Sequence, residues 1–402
     1  MPTQKTIGNI CIILATFFHF VFFFGLYGPN GMIYRWSYII PWIITLLLFG
    51  MLSITNWKSN VEGKAILFIY GLYVILALIG VVRAALKTRG WISLAELFMD
   101  SYNGLALLPI FFFIIGSNIK FFIIINKTLV FYCVIAFLFS LLFLEHTSLM
   151  TFLLMPIFYV IITFPLQTRK ARILFLIISV VAIILSLTHR AGVVRIIISY
   201  LIVLSYYLLL GLKLNRRLVY FMVFCILLLP YIFIYYGSKG NSVFRNLLGE
   251  TDDFSQENLM ADTRTLLYIE VFQELKTNKS YVFGGGVTAG YRSYRSLERR
   301  DIEVGFLQMM LKLGIVGFIV YMSLILSAIY KALNRAKSKF FTGLGLLLAS
   351  YVILFFLGNV FAYDLLNIII WLVIGMCHSR ALLSKEDYEL KRMYQKKLVT
   401  WN

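Results

Sequence analysis

Three side chains in this sequence have the types that group transfer from a diphosphate requires: Arg190, Arg264 and Glu303. Guanidinium groups bind phosphate oxygens in a bidentate manner and keep their charge at any cellular pH. They would stabilise the negative charge that builds on a departing diphosphate. A carboxylate would take the proton from an attacking hydroxyl group, so Glu303 is the candidate general base. This chemistry works only if the surrounding elements hold the three side chains together.

Composition indicates the class of those elements. The chain has 402 residues, of which 61% are hydrophobic and 14% charged, and its mean hydropathy of +0.87 excludes a soluble protein. Apolar runs of membrane length recur from end to end, which predicts an all-α, polytopic integral membrane protein with about twelve transmembrane helices. The expected spans lie near 7–27, 33–55, 64–84, 93–117, 125–144, 147–166, 171–187, 193–211, 217–236, 304–330, 340–361 and 363–382.

One long polar segment, residues 237–302, interrupts these runs and holds half of the 18 acidic residues. Its balanced charge predicts a large extracytoplasmic loop that folds against water. The expected organisation is therefore helices 1–9 in residues 1–236, this loop, helices 10–12 in 303–384, and a cytoplasmic tail in 385–402.

The net charge of +19 is concentrated in short loops and in the tail. Positive charge in short loops stays on the cytoplasmic side, so both termini are expected in the cytoplasm. The same rule explains the excess charge without a nucleic-acid partner. Neither the four histidines nor the four cysteines have metal-ligand spacing, so we expect no metal and no cofactor.

A few basic residues oppose this rule, because the predicted topology places them on the outer face. Arg83 and Arg89 follow the third span, and Arg190 lies beside His189 in a polar connection between two spans. Long cationic side chains can reach lipid headgroups, which would explain Arg83 and Arg89 without a substrate. Ionisable groups at membrane depth are otherwise candidates for function, so all four residues are candidate substrate contacts.

The end of the predicted outer loop is rich in glycine, tyrosine and arginine. Four of its residues are candidate sugar or phosphate contacts: Tyr281, Tyr291, Arg292 and Arg295. The Gly-Gly-Gly run at 284–286 predicts either a tight turn or backbone N–H groups that approach a phosphate. A helix is expected before it, over about 262–275, with Arg264 in its first turn.

The order of these features resembles the bacterial O-antigen polymerase and O-antigen ligase superfamily. The matching pieces are SLTHRAG in a short outer loop, DTRTLLYIEVFQEL and YVFGGGVTAGY in the large one, and LKLGIVG in the span that follows. The resemblance implies a fold similar to the GT-C glycosyltransferases. It also implies transfer of a glycan from undecaprenyl diphosphate on the outer face of the bacterial plasma (inner) membrane.

By the same resemblance, Arg190 and Arg264 take the roles of the family's outer-loop arginines. Ligases of the family carry a His near the start of the span after the large loop, where this chain has Glu303. That departure favours a repeat-unit polymerase of O-antigen, capsule or exopolysaccharide. The implied partners are an undecaprenyl-diphosphate-linked oligosaccharide, membrane lipids and a chain-length regulator protein.

Two alternatives remain open from the sequence. A ligase-type glycosyltransferase with a different acceptor has the same general features. A lipid-linked oligosaccharide flippase also fits twelve spans with basic residues facing inward, although the sequence shows no pair of interrupted helices in corresponding halves.

Overall fold

The computed structural model describes about half of the chain. The described residues are 61–87, 105–106, 108–119, 121–142, 157, 159–186, 221, 223–225, 228, 263–292, 298–299, 302, 304–357 and 365–396. The expected spans near 7–27, 33–55 and 193–211 lie outside the described residues, as does most of the span near 217–236. The count of twelve and the extent of the large loop therefore stay predictions.

The described part is mostly helical. The longer helices are α1 (Lys64–Lys87), α2 (Leu108–Ser117), α3 (Phe122–Leu142), α4 (Arg169–Ser186), α5 (Thr263–Thr277), α6 (Gly305–Asn334), α7 (Lys339–Leu357) and α8 (Leu365–His378). The tail adds α9 (Arg380–Leu383) and α10 (Asp387–Lys396), and a short 3-10 helix covers Phe164–Leu166. One antiparallel ribbon, β1 (Tyr291–Arg292) with β2 (Glu298–Arg299), departs from the all-α expectation.

Within the described residues, three helices are long and apolar enough to cross a bilayer: Lys64–Leu86, Gly305–Asn334 and Lys339–Phe356. At 1.5 Å per residue, each reaches close to or beyond the thickness of the hydrocarbon core. Each also coincides with a span expected from hydropathy. The expectation of a helical membrane protein is confirmed at this level.

Two glycines bring α2 and α8 into backbone contact. A Cβ atom on Gly116 would lie 2.2 Å from the Leu372 carbonyl oxygen, and one on Gly375 would lie 2.2 Å from the Phe113 carbonyl oxygen. Small residues allow such close approach between helices in a membrane, where dispersion contacts replace the hydrophobic effect. The pair forms the centre of the main core, in which Trp371 is fully buried.

Helices α1 and α6 pack in antiparallel orientation, so two ends of the bundle can be defined. At the Glu62 end, Glu62 contacts Lys331 and Arg335, which lie at the end of α6. At the Arg83 end, Gly80 and Arg83 lie against residues 280–287 and against the first third of α6. Residues 280–287 belong to the predicted outer loop, so this loop contacts the bundle at the Arg83 end.

Helix α5 has a small core of its own. Val271 and Leu275 are buried against Tyr291 and against the chain from Ile302 to Leu311. The observed helix begins and ends within two residues of the expected one, 262–275. Because the first turns of α6 share this core, α5 is attached to a membrane helix through a hydrophobic contact.

Candidate functional site

Several predicted site residues cannot be placed. Arg89, His189, Arg190, Arg295 and Glu303 lie outside the described residues. Arg264 lies in the first turn of α5, but only its backbone is described. The meeting of Arg190, Arg264 and Glu303 in one cleft therefore stays a prediction. The described residues show instead how the Arg83 end of the bundle is built.

The central feature of this end is a break in α6 at Gly314. This residue has φ 70° and ψ −170°, so the helix turns sharply between its first nine residues and the long segment that follows. A regular helix would join the Ile315 N–H to the Leu311 carbonyl and the Val316 N–H to the Lys312 carbonyl. Breaking both bonds inside a membrane helix leaves four backbone groups that need other partners.

Residues 281–286 supply those four partners. The Ile315 N–H donates to the Tyr281 carbonyl at 2.8 Å, and the Val316 N–H donates to the Val282 carbonyl at 3.2 Å. In the opposite direction, the N–H groups of Gly285 and Gly286 donate to the carbonyls of Leu311 and Lys312, at 2.8 and 3.2 Å. The loop is thus inserted into the interrupted hydrogen-bond ladder of α6. We call this arrangement the loop–helix joint (residues 281–286 with 311–316).

Glycine is required where the two backbones meet. Gly284 has φ 65°, and a Cβ atom on it would lie 2.3 Å from the Lys312 carbonyl oxygen. A Cβ atom on Gly314 would lie 2.4 Å from the Val282 carbonyl oxygen. Both the positive φ angles and the lack of space exclude a larger residue at either position. The Gly-Gly-Gly run is therefore a tight turn whose N–H groups bind other parts of the chain.

Arg83 fixes the loop to α1. One guanidinium nitrogen donates to the carbonyls of Phe283 and Gly284, at 3.2 and 3.3 Å. The guanidinium carbon also lies 6.0 Å from the centre of the Phe283 ring, within range of a cation–π contact. The Val287 N–H adds a bond of 3.4 Å to the Gly80 carbonyl. Arg83 nevertheless remains exposed, so a ligand can reach it.

The three other predicted contacts that are described have different environments. The Tyr281 hydroxyl donates to the Phe272 carbonyl at 2.9 Å, and its ring stacks on Phe272 while 38% of the residue is exposed. Tyr291 is buried in the core of α5, with 4% exposure. Arg292 is exposed, and its backbone N–H donates to the Glu274 carboxylate at 3.4 Å. Tyr281 and Arg292 therefore face solvent or ligand, and Tyr291 packs inside.

Lys312 was not recognised from the sequence. It lies two residues before the break in α6 and is 2% exposed, and Gln308, one turn earlier, is 1% exposed. Burying an ammonium group in a membrane helix is expensive, and such residues commonly serve function. The available signal was a lysine followed two residues later by glycine inside an apolar run, LKLGIVG.

At the Glu62 end, charged side chains add to a backbone bond of 2.7 Å from the Glu62 N–H to the His378 carbonyl. Arg335 lies 2.7 Å from one Glu62 oxygen, and Lys331 lies 3.8 Å from the other while also donating to the Glu62 carbonyl. Asp387 accepts bonds from Ser338 and from the backbone N–H groups of Lys339 and Phe340, which start α7. This end is thus closed by charge pairs and by a helix cap.

No protein-family model, curated protein or solved structure matches this chain.

Proposed function

We propose that this protein is a repeat-unit polymerase of O-antigen, capsule or exopolysaccharide, acting in the bacterial plasma membrane. It would pass a glycan from undecaprenyl diphosphate to a hydroxyl group of another lipid-linked unit on the outer face. The observation that carries the proposal is the construction of the Arg83 end. There the loop that is rich in Gly and Tyr is attached to α6 by backbone bonds and to the exposed Arg83 of α1, and α5, with Arg264 in its first turn, packs on α6.

A lipid diphosphate must be held at the membrane surface while its sugar bond breaks. The substrate therefore needs cationic groups fixed at the ends of membrane helices, because a diphosphate head lies at the boundary between lipid and water. Arg83 is fixed in this way by α1 and by the loop. Arg264 lies in the first turn of α5. The other end of α5 continues into the same loop, where the Ser280 N–H donates to the Leu275 carbonyl.

In the proposed reaction, Arg190 and Arg264 bind the diphosphate oxygens and Glu303 accepts the proton of the attacking hydroxyl group. The bond between the sugar and the diphosphate breaks as the new glycosidic bond forms, and undecaprenyl diphosphate leaves. Diphosphate is a good leaving group without protonation, so no catalytic acid is needed. Tyr281, which is 38% exposed, would stack on a sugar.

The test is polysaccharide length in cells that carry Arg190→Ala or Arg264→Ala. We expect each variant to insert into the membrane at the wild-type level and to lose the ladder of polymer bands on a gel. Arg169→Ala is the matched control, because Arg169 is an exposed arginine at the start of α4 and has no proposed role. An unchanged ladder in both site variants would remove the proposal.

A lipid-linked oligosaccharide flippase is the second candidate, and the break at Gly314 favours it. Secondary transporters bind substrates at discontinuous helices, which occur in pairs in corresponding halves of the fold. The two functions differ in what accumulates when the gene is deleted. Single repeat units on the outer leaflet indicate a missing polymerase, and single units on the inner leaflet indicate a missing flippase.

A further inference from the structure

The loop–helix joint has a second arrangement available to it. In the structure, the carbonyls of Leu311 and Lys312 accept bonds from the loop, and the N–H groups of Ile315 and Val316 donate to the loop. These four groups are also each other's partners in an unbroken helix. If the loop leaves, α6 can therefore restore its own ladder without leaving a buried polar group unpaired.

We propose that the loop–helix joint is a two-state switch, in which residues 281–286 leave α6 and α6 becomes continuous through Gly314. The inserted state is the one in the structure. In the released state, the Gly285 and Gly286 N–H groups would bond to water, while Ile315 and Val316 would bond within the helix. Minor states of this kind are commonly populated at roughly 0.1–10%.

Besides the backbone bonds, two glycines and Arg83 favour the inserted state. Gly314 and Gly284 accept positive φ angles, and each approaches the other segment so closely that only glycine fits. Arg83 binds the Phe283 and Gly284 carbonyls from α1. Each of these contacts is lost when the loop leaves, so each of them favours the inserted state. Arg83 would then have its guanidinium donors available to an anion.

Release of the loop also changes how α5 is oriented relative to the rest of α6. The loop continues from α5 through the Ser280 N–H bond to Leu275, and the Tyr281 hydroxyl donates to the Phe272 carbonyl. Because α5 and the first turns of α6 share a core, a change in the bend at Gly314 changes the direction of both. The switch is independent of the proposed function, since a polymerase and a flippase can both contain it.

Amide hydrogen exchange of the full chain in lipid nanodiscs tests the proposal. In the wild-type protein, Ile315 and Val316 are hydrogen-bonded in both states, whereas Gly285 and Gly286 are bonded only in the inserted state. We therefore expect peptides covering 281–287 to exchange faster than peptides covering 311–316. Equal protection of the two peptides in the wild-type protein would contradict a released state with a continuous helix.

Gly314→Ala should shift the switch. Alanine is strained at φ 70°, and its Cβ atom would lie 2.4 Å from the Val282 carbonyl oxygen, while in a continuous helix it is favoured over glycine. Exchange over 281–287 should rise on the order of tenfold or more, and exchange over 311–316 should stay slow. Faster exchange in both peptides would mean local unfolding and would overturn the proposal, as would no change in either.

Two further variants test the proposal even if the Gly314→Ala protein misfolds. Gly284→Ala blocks insertion from the loop side, since its Cβ atom would lie 2.3 Å from the Lys312 carbonyl oxygen. Arg83→Gln removes the bonds from the guanidinium group of α1 to the Phe283 and Gly284 carbonyls. Both should raise exchange over 281–287 alone. Gly71→Ala is the matched control, because a Cβ atom on this α1 glycine meets nothing within 4 Å, and both peptides should then exchange as in the wild-type protein.

Discussion

The two ends of the bundle are closed by different kinds of contact. At the Glu62 end, Glu62, Lys331 and Arg335 form charge pairs, and Asp387 caps α7. At the Arg83 end, backbone groups of the loop and of α6 bond to each other, and Arg83 of α1 also binds backbone carbonyls of the loop. The Lys331 side chain is 9% exposed, so water is a poor substitute for Glu62 there, whereas the backbone groups of α6 can bond to each other. The comparison predicts a rigid Glu62 end and an adjustable Arg83 end.

Removing the carboxylate of Glu62 should cause the largest loss of stability. Lys331, whose side chain is 9% exposed, would lose its only carboxylate contact among the described residues. Breaking a buried pair costs about 3–5 kcal/mol, and because the Glu62 side chain is 27% exposed we expect roughly half of that. Thermal unfolding of Glu62→Gln in detergent measures the effect.

Arg335→Gln is the control for that variant. Its side chain is 53% exposed, so its pair with Glu62 contributes under about 1 kcal/mol. Equal losses of stability for the two variants would mean that the contact between Lys331 and Glu62 does not stabilise the fold. The proposed rigidity of this end would then lack its main support.

Loss of the cap at α7 should lower the stability of the fold by a smaller amount. Asp387 accepts the backbone N–H groups of Lys339 and Phe340, which have no partner within the helix. Replacing a capping carboxylate by alanine typically costs about 1 kcal/mol. Asp387→Ala should therefore lower the unfolding temperature less than Glu62→Gln does. The amide of Lys339 should exchange faster, and unchanged exchange there would exclude the cap, whereas the Phe340 N–H keeps a bond of 3.1 Å to the Ser338 hydroxyl.

The smallest expected effect is a pH dependence in the tail. Hydrogen bonds from the Lys385 ammonium and the Glu386 N–H lower the pKa of Glu389 below its usual value. A lowered folded-state pKa means that the stabilisation is present above the ordinary carboxyl pKa and is lost as pH falls through the folded value. The protection factor of the Glu386 amide, which corrects for the pH dependence of intrinsic exchange, should therefore fall at acid pH in the wild-type protein. In Glu389→Gln it should not change with pH over this range.

Hydropathy was sufficient to locate the helices that lie within the described part. The runs near 64–84, 125–144, 171–187 and 340–361 became α1, α3, α4 and α7 with shifts of only a few residues. The reason is physical, because crossing the hydrocarbon core takes about 20 consecutive, mostly apolar residues in a helix. Helix α5 was located from its capping residues and its apolar side.

The loop–helix joint could not be predicted in this way. Gly314 occurs in a run, LGIVG, whose apolar pattern is that of an ordinary membrane helix. Its break depends on partners at 281–286, and Arg83 binds carbonyls 200 residues away in sequence. Local patterns carry no information on such partners. The same limit applies to Lys312, whose burial follows from the bend and from the loop packed beside it.

The position of the loop against α1 is the claim on which the rest depends, and disulfide formation measures it most directly. A Cβ atom at position 80 would lie 3.7 Å from a methyl group of Val287, close enough for a bridge between cysteines at the two positions. In a chain without its native cysteines, Gly80→Cys with Val287→Cys should cross-link on mild oxidation, and Gly71→Cys with Val287→Cys should not. A cross-link at 71 and none at 80 would contradict the account.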